Sequence, residues 1–254
     1  MALTAKSLLL FDFQIDQDNS SLDFVAINLG PTLQATLRFG SYSLSGLMRE
    51  IKRAMESADP AHTYTVQADR TFVSGTENRV SITTNGTFLT LLFGTGPRVT
   101  TSVHTLIGFA TANRTGAITY QGTFTAGNSI IPDYVGYNYL GPEMIRNVFG
   151  ALTITASGEK EAIVWAVQQF LQVEFKYEPE ARVLTDWRDF FTWAIQQKSF
   201  EFTPSVNNPS LFYEVTMETT SADGKAFGYK IEEMLPEFPF FYRTGMMKMR
   251  VKIL

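Results

Sequence analysis

Ile163, Trp165, Val167, Leu171, Val173, Phe175 and Tyr177 all fall on odd-numbered positions, and Gln169 alone interrupts the series. Side chains two residues apart share one face of a β-strand. This run therefore specifies a long strand, or two joined strands, with one apolar core face and a bulge or bend at Gln169. Helix is the competing reading, because residues 161–170 contain no glycine or proline. Strand is preferred, since the two-residue period outlasts a helix-sized window.

The same short-period pattern recurs along the chain. Residues 12–16, 24–28, 33–39, 64–66, 79–83, 88–93, 102–109 and 117–124 read as strands. They are separated by turn signals such as Gly30-Pro31, Asn85-Gly86 and residues 113–116. After a break at Ala126-Gly127-Asn128, further strands are expected at 152–155, 200–202, 211–219, 227–231 and 246–253. Asp223-Gly224 supplies the turn of a hairpin. Two segments carry the helical period instead. Leu44, Leu47, Met48, Ile51 and Met55 line one face, with Ser43 or Ser45 as N-cap and Asp59-Pro60 as the stop. Trp187, Phe190, Phe191, Ala194 and Ile195 line another, with Thr185 as N-cap. The expected fold is mainly β (α+β): two β-rich domains, each with antiparallel sheets and one amphipathic helix. The first spans residues 1–128 with its helix at about 44–58. The second spans 129–254 with its helix at about 186–197.

Composition narrows the functional classes. Hydrophobic residues make up 44 % of the 254 residues, enough for a core, which argues against disorder. The net charge of −4 gives no basic field of the kind that marks nucleic-acid binding. Without cysteine there are no disulfides and no thiolate metal sites. The opening apolar run Leu8-Leu9-Leu10-Phe11 is closed by Asp12, which reads as a strand and not as a signal peptide or membrane span. Synthesis and folding in a cytoplasm are expected.

Each motif that would carry chemistry fails at a definite position. Gly94-Thr95-Gly96 follows a strand, but Val99 stands where the dinucleotide fingerprint needs glycine. Asp16-Gln17-Asp18 opens like a calcium loop, but Ser21 and Ile27 occupy its glycine and glutamate positions. His62 and His104 are far apart in sequence, and His104 sits in an apolar run, as a packed residue would. Glu174, Glu178 and Glu232-Glu233 are available as carboxylates, yet nothing selects a pair from them. No catalytic, cofactor-binding or metal-binding residue is assigned, and no cofactor is expected. Tyr134, Tyr137 and Tyr139, in a Gly- and Tyr-rich stretch, are the candidate recognition residues: they suit stacking on sugar rings or contact with a partner.

Two stretches carry a resemblance. The first joins residues 42–51 (YSLSGLMREI) to Tyr64-Thr65-Val66, Leu91-Leu92-Phe93-Gly94-Thr95-Gly96 and residues 106–120 (LIGFATANRTGAITY). Covering about Leu33 to Phe124, it resembles a module that recurs in virion proteins of tailed bacteriophages. The second joins residues 184–194 (LTDWRDFFTWA) to Phe200-Glu201-Phe202-Thr203-Pro204 and is similar to a domain of tail-tip and baseplate components. The resemblance implies a non-enzymatic distal-tail or tail-tip subunit in the virion. Such a subunit forms a homo-oligomeric ring, a hexamer, that contacts other phage tail proteins, with no nucleic acid bound and no membrane insertion. The alternatives are a receptor- or glycan-binding tail component, a neck or head–tail connector, a capsid decoration protein, and a cell-wall glycosidase.

Overall fold

In the computed structural model, residues 7–70, 78–123, 127–132, 143–154, 160–218, 231–233 and 240–252 are described. The fold is mainly β with antiparallel sheets, as the strand periodicity requires. In chain order the first elements are β1 (Leu8–Phe11), β2 (Phe13–Ile15), β3 (Ser21–Val25), β4 (Leu33–Thr36), β5 (Gly40–Tyr42) and helix α1 (Leu44–Ala58). Then come β6 (Tyr64–Asp69), β7 (Arg79–Thr84), β8 (Leu89–Leu91), β9 (Arg114–Ala117), β10 (Thr119–Gln121) and β11 (Asn128–Ile130). The long strands β12 (Glu143–Ile154) and β13 (Lys160–Val173) precede β14 (Glu178–Pro179). Helix α2 follows as an α-turn Glu180–Arg182, a π-turn Val183–Trp187 and an α-segment Arg188–Ala194. The chain continues through β15 (Phe200–Thr203), β16 (Tyr213–Met217), β17 (Ile231–Glu233), β18 (Phe241–Thr244) and β19 (Met247–Val251).

These elements form two compact units. One contains Leu8–Ile130 together with Ser199–Phe212; the other is built on Ile131–Lys198 and Tyr213–Leu254. In the first unit the strand orders are β4-β3-β8-β9, β10-β7-β6, β2-β5 and β11-β1-β15. Helix α1 packs on β4 and β6 and buries Leu44, Leu47, Met48, Ile51, Ala54 and Met55, the expected apolar face. Ser43 is its N-cap and accepts a hydrogen bond from the Gly46 amide at 3.0 Å. The core continues through Phe24, edge-on to Tyr64 at 5.5 Å, and through Phe93 against Phe109 at 5.1 Å.

In the second unit the strand orders are β16-β19-β13-β12 and β14-β18-β17. Trp187, Phe190 and Phe191 of α2 cluster with Phe175, with ring centroids 5.1 to 5.7 Å apart. Residues 160–173 form one continuous strand, so the helical reading of that stretch does not hold.

Three local expectations are corrected. Residues 102–109 do not form a strand. They contain a short 3₁₀ turn at Val103–Thr105, which follows another at Val99–Thr101, and the Ser102 hydroxyl accepts from the His104 amide. Val103, Leu106 and Ile107 are buried at a spacing of three and four, a turn-of-helix period. The second helix starts at Glu180, after Pro179, and not at Asp186; it ends near Ala194, where Gln197 adopts a positive φ of 59°. Thr185 is inside it and donates its hydroxyl to the Ala181 carbonyl, so it caps nothing. Finally, the irregularity in the long strand lies opposite Phe149 and Gly150, at Trp165, and not at Gln169.

Candidate functional site

Chemistry requires polar groups held at a surface or in a cleft, and the described polar clusters are occupied by the fold. Asp23 lies beneath the Arg98 guanidinium, which donates to it from Nε at 2.9 Å and Nη2 at 2.8 Å and reaches the Ala35 carbonyl and Thr36 hydroxyl. This ties the β3–β4 pair to the loop after β8. Glu50 is buried on α1 and accepts from Arg53 and from the Arg38 amide. Burial alone would raise its pKa, but those donors prevail and hold it below the usual value. Glu178 is fully buried and accepts from the Trp187 indole at 3.0 Å and from Arg182 at 3.2 Å, anchoring the aromatic helix.

Asp59, His62 and Tyr64 come closest to a proton-transfer constellation. Asp59 Oδ2 is 2.8 Å from His62 Nδ1 and accepts from the Tyr64 hydroxyl at 2.6 Å. Burial pushes Asp59 upward, yet hydrogen bonds from Tyr64 and His62 outweigh it and its pKa is lowered. Burial first, and then Asp59 itself, push the Tyr64 phenol far above its ordinary range. A carboxylate held ionised and a phenol held neutral make a fixed acceptor and donor, not a relay. The Asp59 amide also closes the last turn of α1 on the Met55 carbonyl, so the cluster latches the helix end to β6. His104 is buried, stacks on Phe93 at 5.6 Å and bonds through Nε2 to the Thr111 hydroxyl at 2.9 Å. It is a packed residue, as its apolar setting in the sequence implies.

Arg70 and Glu201 form the most buried ion pair among those described. Their side chains are 11 % and 0 % exposed, with Arg70 Nε donating to Oε2 at 2.7 Å. Glu201 also accepts from the Ser45 amide in the first turn of α1, where a negative charge meets the positive end of the helix dipole. Arg70 stacks on the Phe212 ring at 3.8 Å and donates to the Ser45 hydroxyl at 2.8 Å. Residues 199–212 are thereby bound into the unit of Leu8–Ile130, although sequence position alone put them with residues 129–254. Neither residue stood out in the sequence. The signal was a charge in the middle of Phe200-Glu201-Phe202-Thr203, a strand buried on both faces.

No group of three or more metal-ligating side chains is assembled among the described residues. No helix among them is long and apolar enough to cross a membrane. Tyr134, Tyr137 and Tyr139 lie outside the described residues. Glu174 pairs with Lys176 at 3.3 Å, and Glu232 and Glu233 lie in β17.

One described surface that departs from a self-sufficient fold is the β12–β13 hairpin. Strand β13 pairs with β19 only over Gln169–Val173, whereas β12 and β13 pair from Glu143/Gln172 to Ile154/Lys160. Beyond Gln169 the hairpin is therefore a two-stranded ribbon among the described strands, and β12 is the sheet edge. Val148 lies opposite Val167 and Gly150 opposite Val164, and the bulge at Trp165 brings Val164 onto the face of Val167. Val148, Val164 and Val167 are 60 %, 54 % and 41 % exposed, while Leu171, further along the same face, is buried. The core face expected for the whole odd-numbered run thus holds for Leu171, Val173 and Phe175 and gives way to an open apolar stripe towards the tip. The arrangement offers backbone pairing along one edge and apolar contact on one face, which are the elements of strand-mediated association.

No protein-family model matches the chain, and no curated protein sequence matches it.

Proposed function

We propose that this chain is a structural, non-enzymatic subunit of a bacteriophage tail, of the distal-tail or tail-tip kind. It assembles with copies of itself into a ring and contacts other tail proteins in the virion. The observation that carries this reading is the β12–β13 ribbon. An isolated two-stranded ribbon is marginally stable in water, and this one exposes a valine stripe and an unpaired edge among the described strands. Pairing with a neighbouring copy supplies the missing strand and covers the stripe. A contact between two different patches of the same chain closes into a ring when its rotation divides a full turn. The resemblance of residues 33–124 and 184–204 to virion modules supplies the biological setting.

Light scattering coupled to size exclusion tests the assembly. The wild type is expected to run as a closed oligomer, and Val148→Asp/Val167→Asp as a monomer with an unchanged circular dichroism spectrum. A wild-type monomer at tens of micromolar, with the chain also missing from purified particles by mass spectrometry, would refute the proposal.

A further inference from the structure

In the first unit, three chain segments meet at one end of the sheet β4-β3-β8-β9. Phe24 lies opposite Leu33, Val25 opposite Thr90, and Leu89 opposite Ala117. The end of β3, the starts of β4 and β8 and the end of β9 are therefore neighbours. Residues 26–32 join β3 to β4 there, residues 85–88 lead into β8, and Ile118 follows β9; all of them are described. Ile27, Leu29 and Ile118 are 60 %, 98 % and 45 % exposed, and Phe88 at the same end is half-buried. Single exposed apolar side chains are ordinary. Here four are brought to one end from three segments, which is the pattern of an interaction surface.

The backbone under Leu29 is strained. The Gly30 amide donates to the Ile27 carbonyl at 2.8 Å and closes a turn whose third residue is Leu29, with φ +60°. That position favours glycine or asparagine. Asn28 and Gly30 stand on either side, yet leucine occupies it. Strain retained beneath an almost fully exposed leucine points to a use for that side chain. The end is also neutral. None of residues 26–33, 85–89 and 115–119 is charged, although charged residues make up 18 % of the chain. His62, whose ring lies against Gly86, is bonded to the buried Asp59. Several polar groups of these loops are settled locally. The Gly86 amide donates to the Thr84 hydroxyl at 3.1 Å, the Asn85 amide donates to the Thr63 carbonyl, and the Asn85 side-chain oxygen accepts from the Thr63 amide at 2.9 Å. Pro31 has no N–H to satisfy.

We propose that this end of the first unit rests on a lipid surface, with Leu29, Ile27, Ile118 and Phe88 entering the boundary between headgroups and acyl chains without crossing the bilayer. A leucine exposed this fully stands on a projection, and a projection does not enclose a small ligand. A charged partner would ask for countercharges, and these loops carry none. A hydrocarbon boundary offers no hydrogen bonds, which suits loops that bond several of their own polar groups and include a proline. A protein pocket could supply such bonds and would not need them settled in advance. The contact is independent of the assembly proposed for the β12–β13 ribbon.

Flotation of the full chain with phosphatidylcholine vesicles tests the proposal. The wild type is expected to float with the vesicles, with no weakening when salt is raised from about 0.1 M to about 1 M and no requirement for phosphatidylglycerol. Leu29→Asn suits the left-handed backbone and so keeps the turn, while removing the apolar side chain; it is expected to lower the partition coefficient about tenfold or more. Leu29→Asn/Ile118→Thr, which keeps the branched shape at 118, is expected to lower it further. Thermal unfolding checks that neither variant has lost the fold. Absence of flotation by the wild type, or equal flotation by a folded Leu29→Asn, would overturn the proposal. Flotation that needs phosphatidylglycerol and disappears in high salt would assign the binding to charges elsewhere on the chain and would also overturn it. Absence of flotation together with a lower oligomer mass for Leu29→Asn in light scattering would assign the leucine to a contact between copies instead.

Discussion

Replacing Glu201 by alanine is the most informative test of how the first unit is held together. The carboxylate is fully buried and accepts from Arg70 Nε and Nη2 and from the Ser45 amide of α1. Its removal leaves the guanidinium of Arg70, itself 11 % exposed, without its counter-charge, and uncaps one amide in the first turn of the helix. Breaking a buried pair by deleting one partner costs about 3–5 kcal/mol, because the remaining charge stays desolvated. The lost helix amide bond is worth about 1 kcal/mol, and it shares the same carboxylate, so it lies within that range and does not add to it. With a urea dependence of about 2 kcal/mol per molar, the unfolding midpoint falls by about 1.5–2.5 M. Circular dichroism at 222 nm follows both helices, α1 in this unit and α2 in the other. The three tryptophans, Trp165, Trp187 and Trp193, all lie in the other unit, so their fluorescence reports that one separately. Arg70→Met/Glu201→Met removes both charges and is expected to recover at least half of the loss, since no unpaired ion is left. A midpoint shift below about 0.5 M for Glu201→Ala, or a double variant as unstable as the single one, would refute the reasoning.

Two further outcomes follow from the same contacts. Ser43→Ala removes the N-cap of α1 and is expected to cost about 1 kcal/mol in urea unfolding, while Ser43→Gly costs only a few tenths. His104 has a pKa lowered by burial from an ordinary 6.5, so the fold holds it neutral. Its contribution is fully present above pH 6.5 and is lost as pH falls from there through the lowered folded value, with a slope of at most about 1.4 kcal/mol per pH unit. Comparing the unfolding free energy of wild type and His104→Gln between pH 7.5 and 5.5 checks the sign: the wild type must lose the more on acidification.

What the sequence made legible is what short-range periodicity controls. The apolar face of α1, its Ser43 cap and its stop at Asp59-Pro60 all lie within five turns of one another, and the structure has each of them. The odd-numbered run 163–177 fixed a strand for the same reason. Residues 102–109 failed because Val103, Leu106 and Ile107 suit a tight helical turn as well as a strand, and only the Ser102 cap separates the two. The start of α2 was missed because a π-turn at Val183–Trp187 shifts the register of its aromatic face relative to the residues from Glu180 onward. Glu201 was beyond reach altogether. Its partners Ser45 and Arg70 are 156 and 131 residues away, and no local pattern encodes a pair at that separation. The exposed valine stripe was hidden differently: periodicity shows that a face is apolar, and it does not show where along the strand the covering sheet stops.

What the β12 edge is suited to pair with follows from its side chains. β12 carries only Glu143 and Arg146 as charges among its twelve residues, one of each sign, and its one valine, Val148, lies opposite Val167 of β13. Two charges in twelve residues protect this edge only sparsely. In the proposed ring, apolar contact and backbone pairing, and not charge, hold identical chains together. This predicts that raising salt to 1 M, where charges are screened within about 3 Å, leaves the oligomer intact. Dissociation of the oligomer in high salt would mean that charges, and not the valine stripe, hold the copies together, and would refute the role given to Val148, Val164 and Val167.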